Sequence, residues 1–304
     1  MLSGEKILVT GPAGQIGFGL AATLARNNEV WGLARFSNPV ERKKVEALGV
    51  VTRVVDLEAP DFSEVPRDFT YLVHVAMALE PHDYDRALRI NAEGTGLLMS
   101  HCRGVKAALV MSTLSVYKPN PDPWHAFTET DPLGDTMGAS PTYSVSKISE
   151  EAVARYCARE FNIPTIIARM GAAYNARGGL PTYHMRAVAE GQPVKTRWDP
   201  CTYSVIHQDD INAQVEPLLA AASTPANIVN WCGDEAVSVQ EWTAFAGEVL
   251  GKPARVSVEP SPGASIGTVG ETTKRRSITG PCKVGWKDGF RRTLTALYPD
   301  QVEG

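Results

Sequence analysis

Tyr143 and Lys147 stand four residues apart in Tyr143-Ser144-Val145-Ser146-Lys147, a spacing that puts both side chains on one face of a helix. A phenol with an ordinary pKa of about 10 is a poor base at neutral pH. An ammonium about 4 Å away, at an effective dielectric of about 20, favours the phenolate by about 4 kcal/mol before desolvation, or about three pKa units. Such a phenol can hand a proton to a carbonyl oxygen, or take one from an alcohol, while a hydride moves at the neighbouring carbon. The plainer reading is a surface Tyr and Lys on an amphipathic helix, because this spacing alone is common. A further hydroxyl group bears on the choice. Ser112-Thr113-Leu114-Ser115 follows the apolar run Ala108–Ser112, at the carboxyl edge where open α/β sheets bind ligands. The Thr113 hydroxyl could bind the same substrate oxygen. Ser112 and Ser115 compete for that role, or satisfy loose backbone groups at the strand end.

A second constellation precedes these residues. Gly11-Pro12-Ala13-Gly14-Gln15-Ile16-Gly17 joins the short apolar strand Lys6–Thr10 to a helical stretch, Gln15–Asn27. Gly11 permits a tight turn, Gly14 lets a pyrophosphate approach the backbone, and Gly17 lets the helix lie close to the sheet. The helix start, with Ala13, Gln15 and Ile16 in the turn, offers N–H groups and partial positive charge to phosphates. The alternative is a structural turn that binds nothing. At the end of the second strand, where an acid would read a ribose 2′-hydroxyl, the chain carries Arg35. A guanidinium accommodates a 2′-phosphate, so NADP is favoured over NAD, unless Arg35 is merely solvated or stacks on adenine. Asp56-Leu57 follows the third strand, placed to cap the adenine edge or to serve as a turn or N-cap.

The elements that must position these groups alternate. Strands are expected at Lys6–Thr10, Glu29–Ala34, Val50–Val55, Tyr71–Val75, Ala108–Ser112 and Thr165–Met170, with helical stretches including Tyr84–Cys102 and Ser144–Phe161. Repeated β-then-α order with nearly continuous apolar strands predicts an α/β fold: a Rossmann-like, doubly wound parallel sheet. After about Gly171, Gly and Pro become denser, predicting a smaller, loop-rich substrate-binding region over 171–304. The dinucleotide-binding domain then covers 1–170, with 203–232 returning to it through Tyr203–Ile206, a helix over Asp210–Ala222, and Asn227–Trp231.

Composition bounds the rest. Hydrophobic residues make up 43% and charged residues 21%, which excludes a mainly disordered chain. Thirty Lys and Arg against 34 Asp and Glu give a net charge of −4, with no basic run to hold nucleic acid or an anionic membrane. No apolar stretch approaches the roughly 18 residues that span a bilayer, and the opening MLSGEKILVTG lacks the apolar core and cleavage site of a signal peptide. A cytoplasmic location is expected. Cys102, Cys157, Cys201, Cys232 and Cys282 form no CxxC pair and read as small core residues; the six histidines show no metal-ligand spacing.

Taken together the chain resembles the extended short-chain dehydrogenase/reductase family, of the NAD-dependent epimerase/dehydratase type. The resemblance runs over nearly the whole length. It rests on TGPAGQIG at 10–17, VVDL at 54–57, LVHVAM at 72–77, INAEGTGLL at 90–98, MSTLSVY at 111–117 and YSVSK at 143–147. ARMGAAYNAR at 168–177, VIHQDD at 205–210 and VGWKDGFRRTL at 284–294 continue it. The resemblance implies Tyr143 as acid/base, Lys147 as its pKa-lowering, ribose-binding partner, and Thr113 as the catalytic hydroxyl. It implies that Ala76 passes along the adenosine and ribose, and that Asn91 is the family's helix asparagine, which also bends helices.

Departures from the family narrow the reaction. Dehydratases place an Asp-Glu pair after the catalytic Thr; Leu114-Ser115 stands here, so expulsion of water is not expected. The Arg that helps hold a diphosphate shortly before VIHQDD is displaced to Arg197, while Trp198, Tyr203 and Trp231 could line an apolar pocket or simply pack the core. The leading expectation is an NAD(P)-dependent oxidoreductase moving hydride between nicotinamide and a carbonyl or secondary alcohol of a small organic substrate. A nucleotide-sugar epimerase is the alternative enzyme, and a non-catalytic dinucleotide-sensing protein the alternative of another class. The helices Tyr84–Cys102 and Ser144–Phe161 could form a homodimer interface, as is common in the family, or could face the sheet.

Overall fold

The computed structural model describes residues 2–134 and 141–302. The apolar runs become strands at Lys6–Thr10 (β1), Glu29–Ala34 (β2), Val51–Val54 (β3), Tyr71–His74 (β4), Ala107–Thr113 (β5), Thr165–Met170 (β6) and Asn227–Trp231 (β7). β5 and β6 are buried at every residue, which is why their sequences show no polar alternation. The seven strands form one sheet in the order β7-β6-β5-β4-β1-β2-β3. Ile7 lies opposite Val30 on one side and Tyr71 on the other, both in parallel register, and Tyr71 in turn opposes Ala107. Strand order therefore reverses between β1 and β4, the switch point at which such sheets open a ligand crevice.

Helices Gln15–Leu24 (α1), Pro39–Glu46 (α2), Tyr84–Leu88 (α3), Gly94–His101 (α4) and Pro141–Glu160 (α5) connect these strands. The expected single helix over Tyr84–Cys102 is interrupted by a π-turn at Arg89–Glu93. There the buried Asn91 side chain bonds sideways to Ala78, and the Thr95 hydroxyl donates to the Asn91 carbonyl at 2.6 Å, which loosens the regular ladder. Leu8, Leu72, Val110 and Ile167 of the sheet pack with Leu98, Met99, Ala154 and Cys157 of the helices in one core.

The described chain divides into two compact units: residues 2–116, 141–169 and 212–229, and residues 117–134, 170–211 and 230–302. One of the two elements expected to return to the main sheet does so, as β7. The other does not. Thr202–His207 belongs to a separate five-stranded sheet, where Val205–His207 pair with Ala172–Tyr174 and Thr202–Tyr203 with Gly267–Thr268. β6 has β5 and β7 for neighbours, so the main sheet has no place for it there. The helix after it runs Gln208–Ala220.

The second unit has its own core around Trp242, Phe245, Phe290 and Tyr174. Trp231 is fully buried and reads as core, while Trp198 and Tyr203 pack partly buried against this cluster. Asp210, in the VIHQDD segment, accepts the backbone N–H groups of Lys283 and Val284 and so anchors the entry to the last helix, Trp286–Leu297. No helix among the described residues is long and apolar enough to cross a membrane.

Candidate cofactor and catalytic site

Gly11 leaves β1 with φ of +66°, a left-handed conformation that favours glycine. Its Cα faces the end of β4: an added Cβ would lie 3.1 Å from the Ala76 Cα. Gly14 donates its N–H to the Gly11 carbonyl at 3.0 Å and caps α1 without any side-chain hydrogen bond. A Cβ on Gly17 would overlap the Gly11 carbonyl oxygen, so this glycine is needed for the helix to close on the turn. Sequence reasoning assigned that tightness to helix–sheet packing; in the structure it lies between the helix and its own turn. Ala13, Gln15 and Ile16 complete the loop and first helical turn.

Thr10 was not singled out in the sequence, yet it ties the turn to β4. Its hydroxyl oxygen accepts the N–H groups of Val75 and Ala76 at 3.1 and 3.0 Å. It lies 2.7 Å from His74 Nδ1, and having two N–H donors already, it donates there. On the other side, His74 Nε2 is 2.8 Å from Thr95 Oγ1, whose own proton goes to the Asn91 carbonyl. These directions fix His74 as the neutral Nε2–H tautomer. Burial, with the Lys147 charge in support, pushes its pKa down to about 3, in agreement.

At the far end of β2, Arg35 is exposed and its guanidinium has no ion-pair partner among the described residues. The next residue, Phe36, has φ of +46°, so the chain turns sharply just beyond it. Asp56 accepts the Glu58 N–H at 3.1 Å, forming an Asx turn, and stands partly exposed beside Leu57. The turn reading of Asp56 thus has a visible basis, while its second carboxylate oxygen accepts no hydrogen bond among the described residues. Arg86 bonds both Glu58 and Glu80, and the Thr142 hydroxyl donates to the Glu80 carbonyl at 2.6 Å. The segment after β4 is held between them. Asn91 accepts from Ala78 N–H and donates to Ala78 carbonyl and Ser146 Oγ, at 2.8, 3.0 and 3.1 Å. Three of its four hydrogen-bonding positions are spent within the protein, which makes it a residue that shapes the crevice.

Lys147, only 2% exposed, donates to the Met111 carbonyl at 2.8 Å and to Glu150 Oε2 at 2.5 Å. One of its three N–H donors has no acceptor among the described residues. Met111 lies on β5, two residues before Thr113; Tyr143 lies one helical turn before Lys147. The Tyr143 phenol is partly exposed and makes no hydrogen bond among the described residues. Thr113 is buried, and its hydroxyl accepts the Ser115 N–H at 3.2 Å. Ser112 is removed from the competition: its hydroxyl donates to Glu151 Oε1 at 2.6 Å, and Arg169 grips the same carboxylate through Nε and Nη2 at 2.9 and 2.8 Å. Glu150 is buried with them. Burial pushes its carboxyl up to about 7, against the pull of Lys147 and with the help of Glu151.

These features fit a dinucleotide. The glycine turn brings no side chain from Gly11, Gly14 or Gly17 to the helix start, Arg35 and Asp56 stand after β2 and β3, and Lys147 has one N–H unused among the described residues. Bound there, a nicotinamide dinucleotide supplies or accepts a hydride.

The sequence profile described as "NAD dependent epimerase/dehydratase family" matches residues 7–211. A dTDP-4-dehydro-6-deoxy-D-allose reductase of Streptomyces bikiniensis is 30% identical over 85% of each chain. Among solved structures, the UDP-glucose 4-epimerase of Thermus thermophilus in complex with NAD superposes with a TM-score of 0.83 at 25% identity, covering 98% of this chain and all of that one. The UDP-glucuronic acid 4-epimerase of Bacillus cereus, in complex with UDP-glucuronic acid and NAD, also gives 0.83, at 22% identity over 97% and 99% of the two chains.

Proposed function

The chain belongs to the NAD-dependent epimerase/dehydratase family, and from that footing we propose that it reduces a ketone to a secondary alcohol with Tyr143 as the proton donor. It is an enzyme, an NAD(P)-dependent oxidoreductase of the extended short-chain dehydrogenase/reductase type. The observation that carries the reading is the placement of Tyr143 one helical turn before Lys147, whose ammonium lies on the β5 backbone at Met111 beside Thr113. Tyr143 gives its proton to the carbonyl oxygen as hydride reaches the carbon. Thr113 donates a hydrogen bond to that same oxygen and fixes its direction. Lys147 keeps its remaining N–H for a ribose hydroxyl of the cofactor. Leu114 and Ser115 provide no acid or base to expel water.

The substrate class favoured is a nucleotide-linked deoxy sugar carrying a ring ketone, on the strength of the reductase relative at 30% identity. The second unit is read as its binding region. For the cofactor, exposed Arg35 in place of an acid favours NADP, with NAD as the alternative that the solved neighbours hold. A spectrophotometric assay of NADPH oxidation with a dTDP-4-dehydro-6-deoxy sugar tests the reading; no oxidation with this or a broad ketone panel contradicts it.

An epimerase would use the same residues but keep its NAD through oxidation and re-reduction, and the likeness to the Thermus enzyme favours it as second reading. Cofactor that stays bound through purification, with interconversion of a UDP-sugar, would select it. The reading includes a homodimer built on α3–α5, supported by exposed Tyr84, Leu97, Val145 and Tyr156 on these helices. It also includes a cytoplasmic location, supported by five free cysteines, four of them buried.

A further inference from the structure

The carboxylate beside Lys147 has no part in the chemistry just described. Glu150 sits three residues after Lys147 and is 1% exposed, and it takes one N–H of the ammonium through Oε2. Its other oxygen, Oε1, is buried without a hydrogen bond. His74 Nε2 lies 3.6 Å from it, which is too long for a hydrogen bond, and belongs to a neutral ring whose proton is committed to Thr95. Among the described residues the Glu150 carboxylate is therefore held by Lys147 alone, in a place where an unpaired carboxylate is costly.

We propose that Glu150 is a positioning residue that acts through Lys147 to keep the Tyr143 phenol in its protonated, proton-donating form, and so biases the site toward carbonyl reduction. This rests on the assignment of Tyr143 as the acid. An ammonium alone draws the phenol toward phenolate; an ammonium with a carboxylate 2.5 Å from it presents a much weaker field one helical turn away. The other charged groups around the pair do not supply that compensation. His74 of β4 is neutral. Glu151, on the same helix, has its charge taken up by Arg169 of β6 and the Ser112 hydroxyl of β5. From the π-turn and α4, Asn91 bonds Ser146 beside Lys147 and Thr95 bonds His74, and neither of these two ionises. Glu80, reached by Thr142, is paired with Arg86. Burial raises the Glu150 carboxyl to about 7, so the compensation is present in full only above neutral pH.

The test reads Tyr143 directly and needs no substrate. Phenolate absorbance of the full-length enzyme is titrated against pH, with the Tyr143→Phe titration subtracted. In a Glu150→Gln background the same difference curve should move its midpoint down by about one pH unit, the scale expected for removing a charge two helical turns, about 10 Å, away at an effective dielectric of about 20. Glu150→Asp, which keeps the charge, should hold the native midpoint and guards against a general effect on the fold. A midpoint unchanged or raised by Glu150→Gln, or one moved equally by Glu150→Asp, overturns the proposal. Because no turnover is measured, an inactive native enzyme would count against the proposed reaction and leave this result to be read separately.

Discussion

The Lys147 ammonium is bound between the Met111 carbonyl and the Glu150 carboxylate, at 2.8 and 2.5 Å, and not to the Tyr143 phenol one turn away. The helix thus brings Lys147 to the β5 backbone, while the cation's charge is already shared with Glu150. In the proposed reaction this arrangement leaves the phenol to meet a substrate oxygen and holds the lysine to orient a ribose.

Replacing Gly17 by Ala tests the turn. The new methyl would overlap the Gly11 carbonyl oxygen, which is backbone and cannot swing aside. The expected result is a loss of about 1–3 kcal/mol in stability and a larger fractional loss in dinucleotide affinity, since helix and turn must part. Thermal melts with and without NADPH check this; an unchanged ligand-induced shift contradicts it.

Arg35→Ala tests cofactor choice. A charge-assisted hydrogen bond to a 2′-phosphate contributes about 1.5–3 kcal/mol, so the ratio of kcat/KM for NADPH over NADH should fall by about 10- to 100-fold. A ratio that does not move leaves Arg35 as a solvated side chain.

Much of this was legible before any coordinates. Strands such as Ala107–Thr113 announce themselves as unbroken apolar runs because helices cover both faces, and the glycine turn is marked by its place between strand and helix. Tyr143 and Lys147 are picked out by helical spacing together with the hydroxyls after β5 and the glycine turn. What could not be read depends on partners distant in the chain. The π-turn at Arg89–Glu93 comes from Asn91 reaching Ala78, and Thr202–His207 chooses its sheet by the strands that meet it. Glu150 looks like one of a solvated Glu-Glu pair, yet both are buried. Its position three residues after Lys147 was the signal that could have found it.

Acid stability should show two opposed slopes. The unfolded His74 takes a proton near 6.5 but the folded ring only near 3, so its contribution to stability is lost as pH falls from about 6.5 toward 3. Glu150 works the other way: folded, it holds its proton to about 7 instead of 4.5, so stability is lost as pH rises through that window. Between pH 4.5 and 6.5 the two nearly cancel. Glu150→Gln removes one of them, and stability should then fall by about 1.4 kcal/mol more per pH unit on acidification across that interval. Urea unfolding at a series of pH values measures the slope, and an unaltered slope contradicts the account.

Val145 and Tyr156 are 41% and 61% exposed, three helical turns apart on α5. Changing both to Asp should convert the proposed dimer to a monomer by light scattering, with secondary structure retained. A dimer that persists places the interface elsewhere.

The most direct measurement is turnover by Tyr143→Phe. With NADPH and a keto sugar nucleotide, the variant should bind the cofactor as the native enzyme does and lose about 10²- to 10⁴-fold in kcat, the range expected when a positioned proton donor is removed. Native turnover in the variant, with cofactor binding intact, would contradict the assignment of Tyr143 and with it the proposed reaction.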